Sequence, residues 1–202
     1  MLVDKTAGSK ARERILDAAE GLFMAKGFAA VTLREICAEL GLTHASLYYH
    51  FPGGKEALYA EVAERNISRH GDGLAAALEA GGPRLEGRLK AAAAWLLSQP
   101  PMDLLRMARS DLTYLPEEAA GRIARLVYEL VLSRLQAALE GAKASGEIGP
   151  CDAGLMGGAL VGMVESLHGI PDYALSRSRE ELAGELIDTL LKGLEYRKGG
   201  TS

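Results

Sequence analysis

A chain of 202 residues that is 48% hydrophobic carries enough apolar side chains for one large or two modest cores, so global disorder is excluded. Its two cysteines, Cys37 and Cys151, lie far apart without CxxC spacing, which argues against a disulfide scaffold or a cysteine zinc site and points to a reducing, cytoplasmic setting. The net charge is −4, the opening from Met1 to Arg14 is polar, and no later stretch is an unbroken apolar run of roughly eighteen residues, so neither a secretion signal nor a membrane span is expected.

Strand signals are almost absent, while Ala, Leu, Glu, Arg and Lys recur at helical spacing, so the sequence predicts an all-α protein. The first helix is expected to start after Ser9 as N-cap and to run to Lys26, with Ile15, Ala19, Leu22 and Phe23 as its apolar stripe and Gly27 as its stop. Thr32 and Glu35 have the spacing of a capping box, which predicts a short second helix from Leu33 with Leu33, Ile36 and Leu40 on its inner face. Gly41 permits a tight turn, Thr43 caps a third helix that buries Leu47 and Phe51, and Pro52-Gly53-Gly54 ends it. A long fourth helix from Lys55 to Ala80 carries Leu58, Val62 and Ile67, and the run His70-Gly71-Asp72-Gly73 is expected to loosen or bend it. Further helices are predicted near 84–98, 103–112, 117–145, 152–169 and 178–197, punctuated by Pro100-Pro101, Pro116, Gly149-Pro150 and Ile170-Pro171.

Two short helices joined by a glycine turn, with Leu33, Ile36, Leu40, Leu42 and Leu47 facing inward, describe a helix-turn-helix. With Leu47 as the inward reference and about 100° per residue, Ala45 and Tyr49 point away from the core and Ser46 and Tyr48 flank them, with His44 at the exposed N-terminal end. Small, hydroxylated and aromatic groups suit a major groove that offers donors, acceptors and thymine methyls. Arg34 is placed for a bidentate guanine contact or a phosphate clamp, and the helix starts at Thr32, Thr43 and Lys55 direct backbone amides toward phosphate oxygens. Residues 1–60 are balanced in charge, Lys5, Lys10, Arg12, Arg14, Lys26, Arg34 and Lys55 offsetting seven acidic side chains, so the remainder carries the whole −4. A neutral N-terminal part beside an acidic remainder is the distribution that would orient such a protein on DNA.

The segments Arg14-Ile-Leu-x-Ala-Ala19, Leu22-Phe23, Gly27-Phe28, Val31-Thr-Leu-Arg-Glu-Ile36, Leu40-Gly-Leu-Thr43, Ser46-Leu-Tyr-Tyr-His-Phe51 and Lys55-Glu-Ala-Leu58 resemble the N-terminal signature of the TetR family of repressors, over roughly residues 10 to 60. The resemblance implies a helix-turn-helix DNA-binding domain over 1–54 and a helical effector-binding and dimerisation domain over 55–202. It implies that His44, Ala45, Tyr48 and Tyr49 face bases and nearby backbone, and that Thr32, Thr43, Ser46, His50 and Lys55 approach phosphates. The residues alone leave His50 open between a phosphate contact and a packed histidine, and Arg34 open between a DNA contact and a solvated arginine.

Residues 84–197 contain no nucleophile elbow, phosphate loop, zinc-protease motif or dinucleotide fingerprint, so no enzymatic activity, cofactor or metal is expected. Gly154, Gly157, Gly158, Ala159 and Gly162 are unusual within one helix, because each glycine costs roughly 0.5–1 kcal/mol relative to alanine. Close approach of another backbone offsets that cost, whether within the chain or in a seam between copies. In the family the last two helices pair with their copies, which implies a homodimer interface at Gly154, Gly158, Val161, Gly162, Leu186 and Leu190. Family behaviour also implies a small-molecule effector of apolar or aromatic character. Trp95, Met102, Leu105, Met107, Tyr114, Tyr128 and Met163 are candidate lining residues, with Arg106, Arg109 and His168 as polar anchors. The expected protein is therefore a dimeric repressor of a palindromic operator, released by its effector, and the competing reading is a ligand-independent architectural DNA binder.

Overall fold

The computed structural model describes residues 5–194, with side chains from Ser9 onward. Among them no strand occurs, and the chain order is α1 (Lys5–Ala30), α2 (Leu33–Leu40), α3 (His44–His50), α4 (Gly54–Ala80), α5 (Leu85–Ser98), α6 (Leu104–Arg109), α7 (Glu117–Val127), α8 (Ser133–Ala144), α9 (Ala153–Ser166) and α10 (Arg179–Gly193). The all-α expectation is met. The chain forms two compact units, one from residues 5–66 with Asp103–Arg125, the other from Ile67–Met102 with residues 126–194.

In the first unit, α1 begins at Lys5, earlier than the Ser9 cap predicts, since no proline interrupts the preceding residues. Gly27 acts as expected: at φ 78 it breaks the helical path, and three further residues follow before the helix ends at Ala30. Ile15, Leu16, Ala19 and Phe23 of α1, Ile36 and Cys37 of α2, Leu47 of α3 and Leu58, Tyr59 and Val62 of α4 are all buried. Leu22, Leu33 and Leu40 are only half-buried at the edge of that core. Arg65 of α4 reaches α1, pairing with Glu13 at 3.0 Å, Glu20 at 3.0 Å and Asp17. Glu20 is itself buried and also accepts from Asn66 Nδ2 at 3.0 Å, so its charge is met by both a cation and an amide.

The segment after α5 returns to this unit. Asp103 caps α6, its carboxylate accepting the Arg106 N–H at 3.1 Å, and a 3-10 turn over Asp111–Tyr114 follows. Asp111 is 2% exposed and accepts both the Phe28 backbone N–H at 3.0 Å and the Tyr59 hydroxyl at 3.1 Å. Arg106 donates to the carbonyls of Phe23 at 3.3 Å and Met24 at 3.0 Å, and its Nε stands 3.5 Å from Asp111. The carbonyls and the amide that the Gly27 kink releases from helical bonding are thus met by one arginine and one aspartate.

In the second unit, α5, α8, α9 and α10 bury Leu85, Leu89, Leu96, Leu135, Leu139, Leu160, Val164 and Ile187. The expected bend at His70–Gly73 is absent, and α4 is one helix through this run. Its glycines serve contact instead: a Cβ at Gly73 would lie 1.9 Å from Trp95 Cζ2, and one at Gly71 would lie 2.7 Å from Leu130 Cβ. The single helix predicted over 117–145 is divided by a π-helical stretch, Tyr128–Leu132, between α7 and α8. The α9 helix gives way at Leu167–Gly169 to a 3-10 turn, and the predicted end of the last helix at 197 lies outside the described residues. Ser178 and Glu181 form a full capping box at the start of α10. Lys90 joins α5 to α10 through Asp188 at 2.7 Å.

Candidate nucleic-acid interface

The α2–α3 module is held by two threonine caps and one left-handed glycine. Thr32 Oγ1 accepts the Glu35 N–H at 3.2 Å, and Thr43 Oγ1 accepts the Ser46 N–H at 3.2 Å, each worth about 1 kcal/mol. Gly41 at φ 66 turns the chain between the two helices, where a β-carbon would be strained. Leu47 is fully buried and fixes the roll of α3.

That roll determines which groups α3 presents. His44, Ala45, Tyr48 and Tyr49 are exposed, Tyr49 most of all at 77%, while Ser46 is half-buried. The face opposite Leu47 thus carries one imidazole, one methyl and two phenols, a set able to donate, accept and make apolar contact within a groove. Arg34 is exposed in the first turn of α2. Thr32 and Thr43 are exposed as well; each hydroxyl oxygen is used in capping, but its O–H remains a donor for a phosphate. His50 is half-buried and meets the Tyr49 ring edge-on with centroids 5.2 Å apart.

Lys55 lies in the first turn of α4, half-buried, with Nζ 4.2 Å from the centre of the Phe28 ring. Burial pushes its pKa down, against the opposing influence of Glu56 and Asp111. Tyr48 approaches the same helix start, its Cε1 standing 3.7 Å from where a Cβ of Gly54 would be. Lys26 is engaged with Glu35, whose carboxyl it holds below the usual range. Neither the Lys55–Phe28 stack nor the Lys26–Glu35 pair is visible in the sequence, since both depend on where the kinked end of α1 meets its neighbours.

The residues expected to meet an effector fall in both units. In the first, Met107 is buried, Leu105 and Arg109 are exposed, Tyr114 stacks on Phe28 at 5.2 Å, and the Arg106 guanidinium is engaged by the α1 kink as described. In the second, Met102 is buried, Met163 half-buried and Tyr128 exposed, its hydroxyl 3.5 Å from Gln136 Oε1. Trp95 packs on Gly73 with its indole N–H buried and unpartnered, and His168 likewise has a buried, unpartnered Nε2. Burial holds the His168 pKa below its ordinary value, helped by the charge of Arg179 and opposed by the Leu96 carbonyl.

Of the residues expected at a dimer seam, Gly154 and Gly162 are exposed and Gly158, Leu186 and Leu190 half-buried, but Val161 is 3% exposed. Val161 faces inward as part of this chain's own core and is not available to a seam. A Cβ at Gly158 or Gly162 would meet nothing within 4 Å, whereas one at Gly157 would lie 3.3 Å from Leu135 Cβ. Leu186 also lines a shallow groove with Leu167, Ile170, Leu182, Glu185 and Thr189. Among the described residues no helix is long and apolar enough to cross a membrane, and no group of three metal-ligating side chains converges.

An exposed reading helix braced by caps in a three-helix module is the architecture of a helix-turn-helix DNA-binding protein. Residues 15–62 match the family of bacterial regulatory proteins of the tetR type, and the chain belongs to that family. Over 51 residues it is 51% identical to the HTH-type transcriptional regulator LmrA of Bacillus subtilis (strain 168), a stretch covering 25% of this chain and 27% of LmrA. The chain thus aligns with only about a quarter of that curated relative's length. The fold is similar over a much longer span. The TetR family transcriptional regulator PfmR of Thermus thermophilus superposes with a TM-score of 0.65 at 27% identity, covering 91% of this chain and 100% of PfmR. AibR, solved in complex with isovaleryl coenzyme A and operator DNA, gives a TM-score of 0.74 at 20% identity, covering 89% of this chain and 97% of AibR.

Proposed function

We propose that this protein is a DNA-binding transcriptional regulator of the cytoplasm, working as a homodimer that represses from a palindromic operator until a small apolar or aromatic effector releases it. The observation that carries this reading is the outward face of α3, where His44, Ala45, Tyr48 and the 77% exposed Tyr49 stand opposite the fully buried Leu47. Residues 1–54 hold the DNA-reading surface, with Thr32, Thr43, Ser46, His50 and Lys55 directed to phosphates and Arg34 to a guanine or a phosphate. Residues 55–202 hold effector and dimer functions.

One recognition helix reads too few base pairs to be selective, and two related by a two-fold axis read a palindrome about one helical turn apart. The open positions at Gly158 and Gly162, the exposed Gly154 and the half-buried Leu186 and Leu190 support a seam between copies. The orphaned indole N–H of Trp95 and Nε2 of His168 support an effector with at least one hydrogen-bonding group, since an unmet buried polar atom costs about 1–3 kcal/mol. Effector release requires tighter binding to the DNA-incompetent state than to the competent one.

Fluorescence anisotropy with duplexes from the protein's own upstream region tests the reading. Salt-sensitive binding to an inverted repeat, lost in Tyr49→Ala, is expected. Equal affinity for the repeat and its scrambled version, or broad coating of any duplex, overturns it.

A further inference from the structure

The Lys55 ammonium stands 4.2 Å over the Phe28 ring, and that ring is itself held on several sides. Phe28 is 4% exposed, meets Tyr59 edge-on at 5.3 Å, stacks with Tyr114 at 5.2 Å, and has its backbone N–H fixed by Asp111 at 3.0 Å. The platform under the ammonium is therefore rigid. The ammonium is half out of water, as its lowered pKa reflects, and it lies at the α4 start that Tyr48 also approaches.

We propose that Phe28 is a positioning residue for DNA binding: its ring holds the Lys55 ammonium at the α4 N-terminus, ready to meet a backbone phosphate beside Tyr48. The proposal rests on the DNA-binding reading above. A lysine on a free surface loses rotamer freedom and part of its hydration shell when it meets a phosphate. Over a ring the stem is already ordered and one side of the ammonium already stripped of water, while its remaining N–H groups stay available as donors. Glu56, one residue along, opposes a phosphate there, which makes a held cation beside it more valuable than a mobile one.

A double-mutant cycle separates this role from a merely structural one. Operator affinity is measured across salt for wild type, Lys55→Gln, Phe28→Leu and the double variant, with helicity checked by circular dichroism. Lys55→Gln is expected to reduce the slope of log K against log salt by about 0.9, the signature of one lost phosphate contact. Phe28→Leu is expected to weaken binding about 3- to 5-fold when Lys55 is present and by less than about 1.5-fold in the Lys55→Gln background. Phe28→Tyr, which keeps the ring, retains wild-type affinity within about twofold and serves as the decisive variant should leucine not fold. Additive losses, or a Phe28→Tyr defect equal to that of Lys55→Gln in a folded protein, overturn the proposal while leaving DNA binding intact. A wild-type protein without salt-dependent binding overturns the DNA-binding reading, and the proposal with it.

Discussion

Asp111 Oδ1 accepts the backbone N–H of Phe28 at 3.0 Å, so a carboxylate from the 3-10 turn after α6 completes the hydrogen bonding of a kink in α1. The same carboxylate accepts from Tyr59 and faces Arg106, and burial beside this negative charge drives the Tyr59 pKa well above the ordinary phenol range.

Removing that carboxylate leaves an amide, a phenol and a guanidinium facing one another without an acceptor. Asp111→Ala is expected to cost about 3–5 kcal/mol of stability in urea unfolding, because one partner of a buried charged network is lost. Asp111→Asn, which keeps an acceptor oxygen, loses less. A cost under about 1 kcal/mol for the alanine variant would sink this account of the kink.

Gly73 and Gly121 give opposite signs for the same substitution. A Cβ at Gly73 falls 1.9 Å from the Trp95 ring, so Gly73→Ala is expected to destabilise by about 1–3 kcal/mol and to shift the emission of the single tryptophan. Gly121 in α7 has nothing within 4 Å, and Gly121→Ala gains about 0.5–1 kcal/mol through helix propensity. Equal effects at the two positions would show that the Trp95 contact is not what keeps Gly73 a glycine.

Gly162 separates packing within the chain from packing between copies. A side chain there meets nothing within 4 Å in one chain, so Gly162→Leu is expected to leave thermal unfolding of a single chain nearly unchanged while shifting sedimentation toward monomer. An unaltered dimer would remove Gly162 from the seam.

His168 predicts a pH dependence with a defined sign. Burial lowers its pKa in the folded chain, so the unfolded chain binds more protons once pH falls below the ordinary histidine value of about 6.5. The stability it contributes is full above that pH and is lost as pH falls through the depressed folded value. His168→Gln is expected to flatten the fall in melting temperature between about pH 7 and pH 5. An unchanged profile would assign the acid sensitivity to other groups.

The parts of this architecture that are legible in the sequence are those set by local chemistry. Thr32 and Thr43 as caps, Gly41 as the turn and Leu47 as the buried reference each follow from residues within one helical turn of one another. The bend expected at His70–Gly73 does not form because those glycines answer to Leu130 and Trp95, which lie far along the chain. Lys55 reads as a phosphate contact in the sequence, but its ring platform is hidden there, since Phe28 comes to it only through the Gly27 kink. Arg106 resembles a ligand anchor for the same reason: nothing near it in sequence announces the Phe23 and Met24 carbonyls.

The reach from Phe28 to Asp111 also bears on synthesis. The two partners are 83 positions apart, and Tyr59 stands 52 positions from the same carboxylate. A ribosome that has released α1 to α4 has therefore delivered the reading helix but not the acceptor that closes the α1 kink. The nascent N-terminal unit must wait for the chain to pass Asp111 before it can lock. Fragments ended before that point are expected to be prone to proteolysis, and a minimal DNA-binding piece of this protein needs residues 103–125 supplied with it.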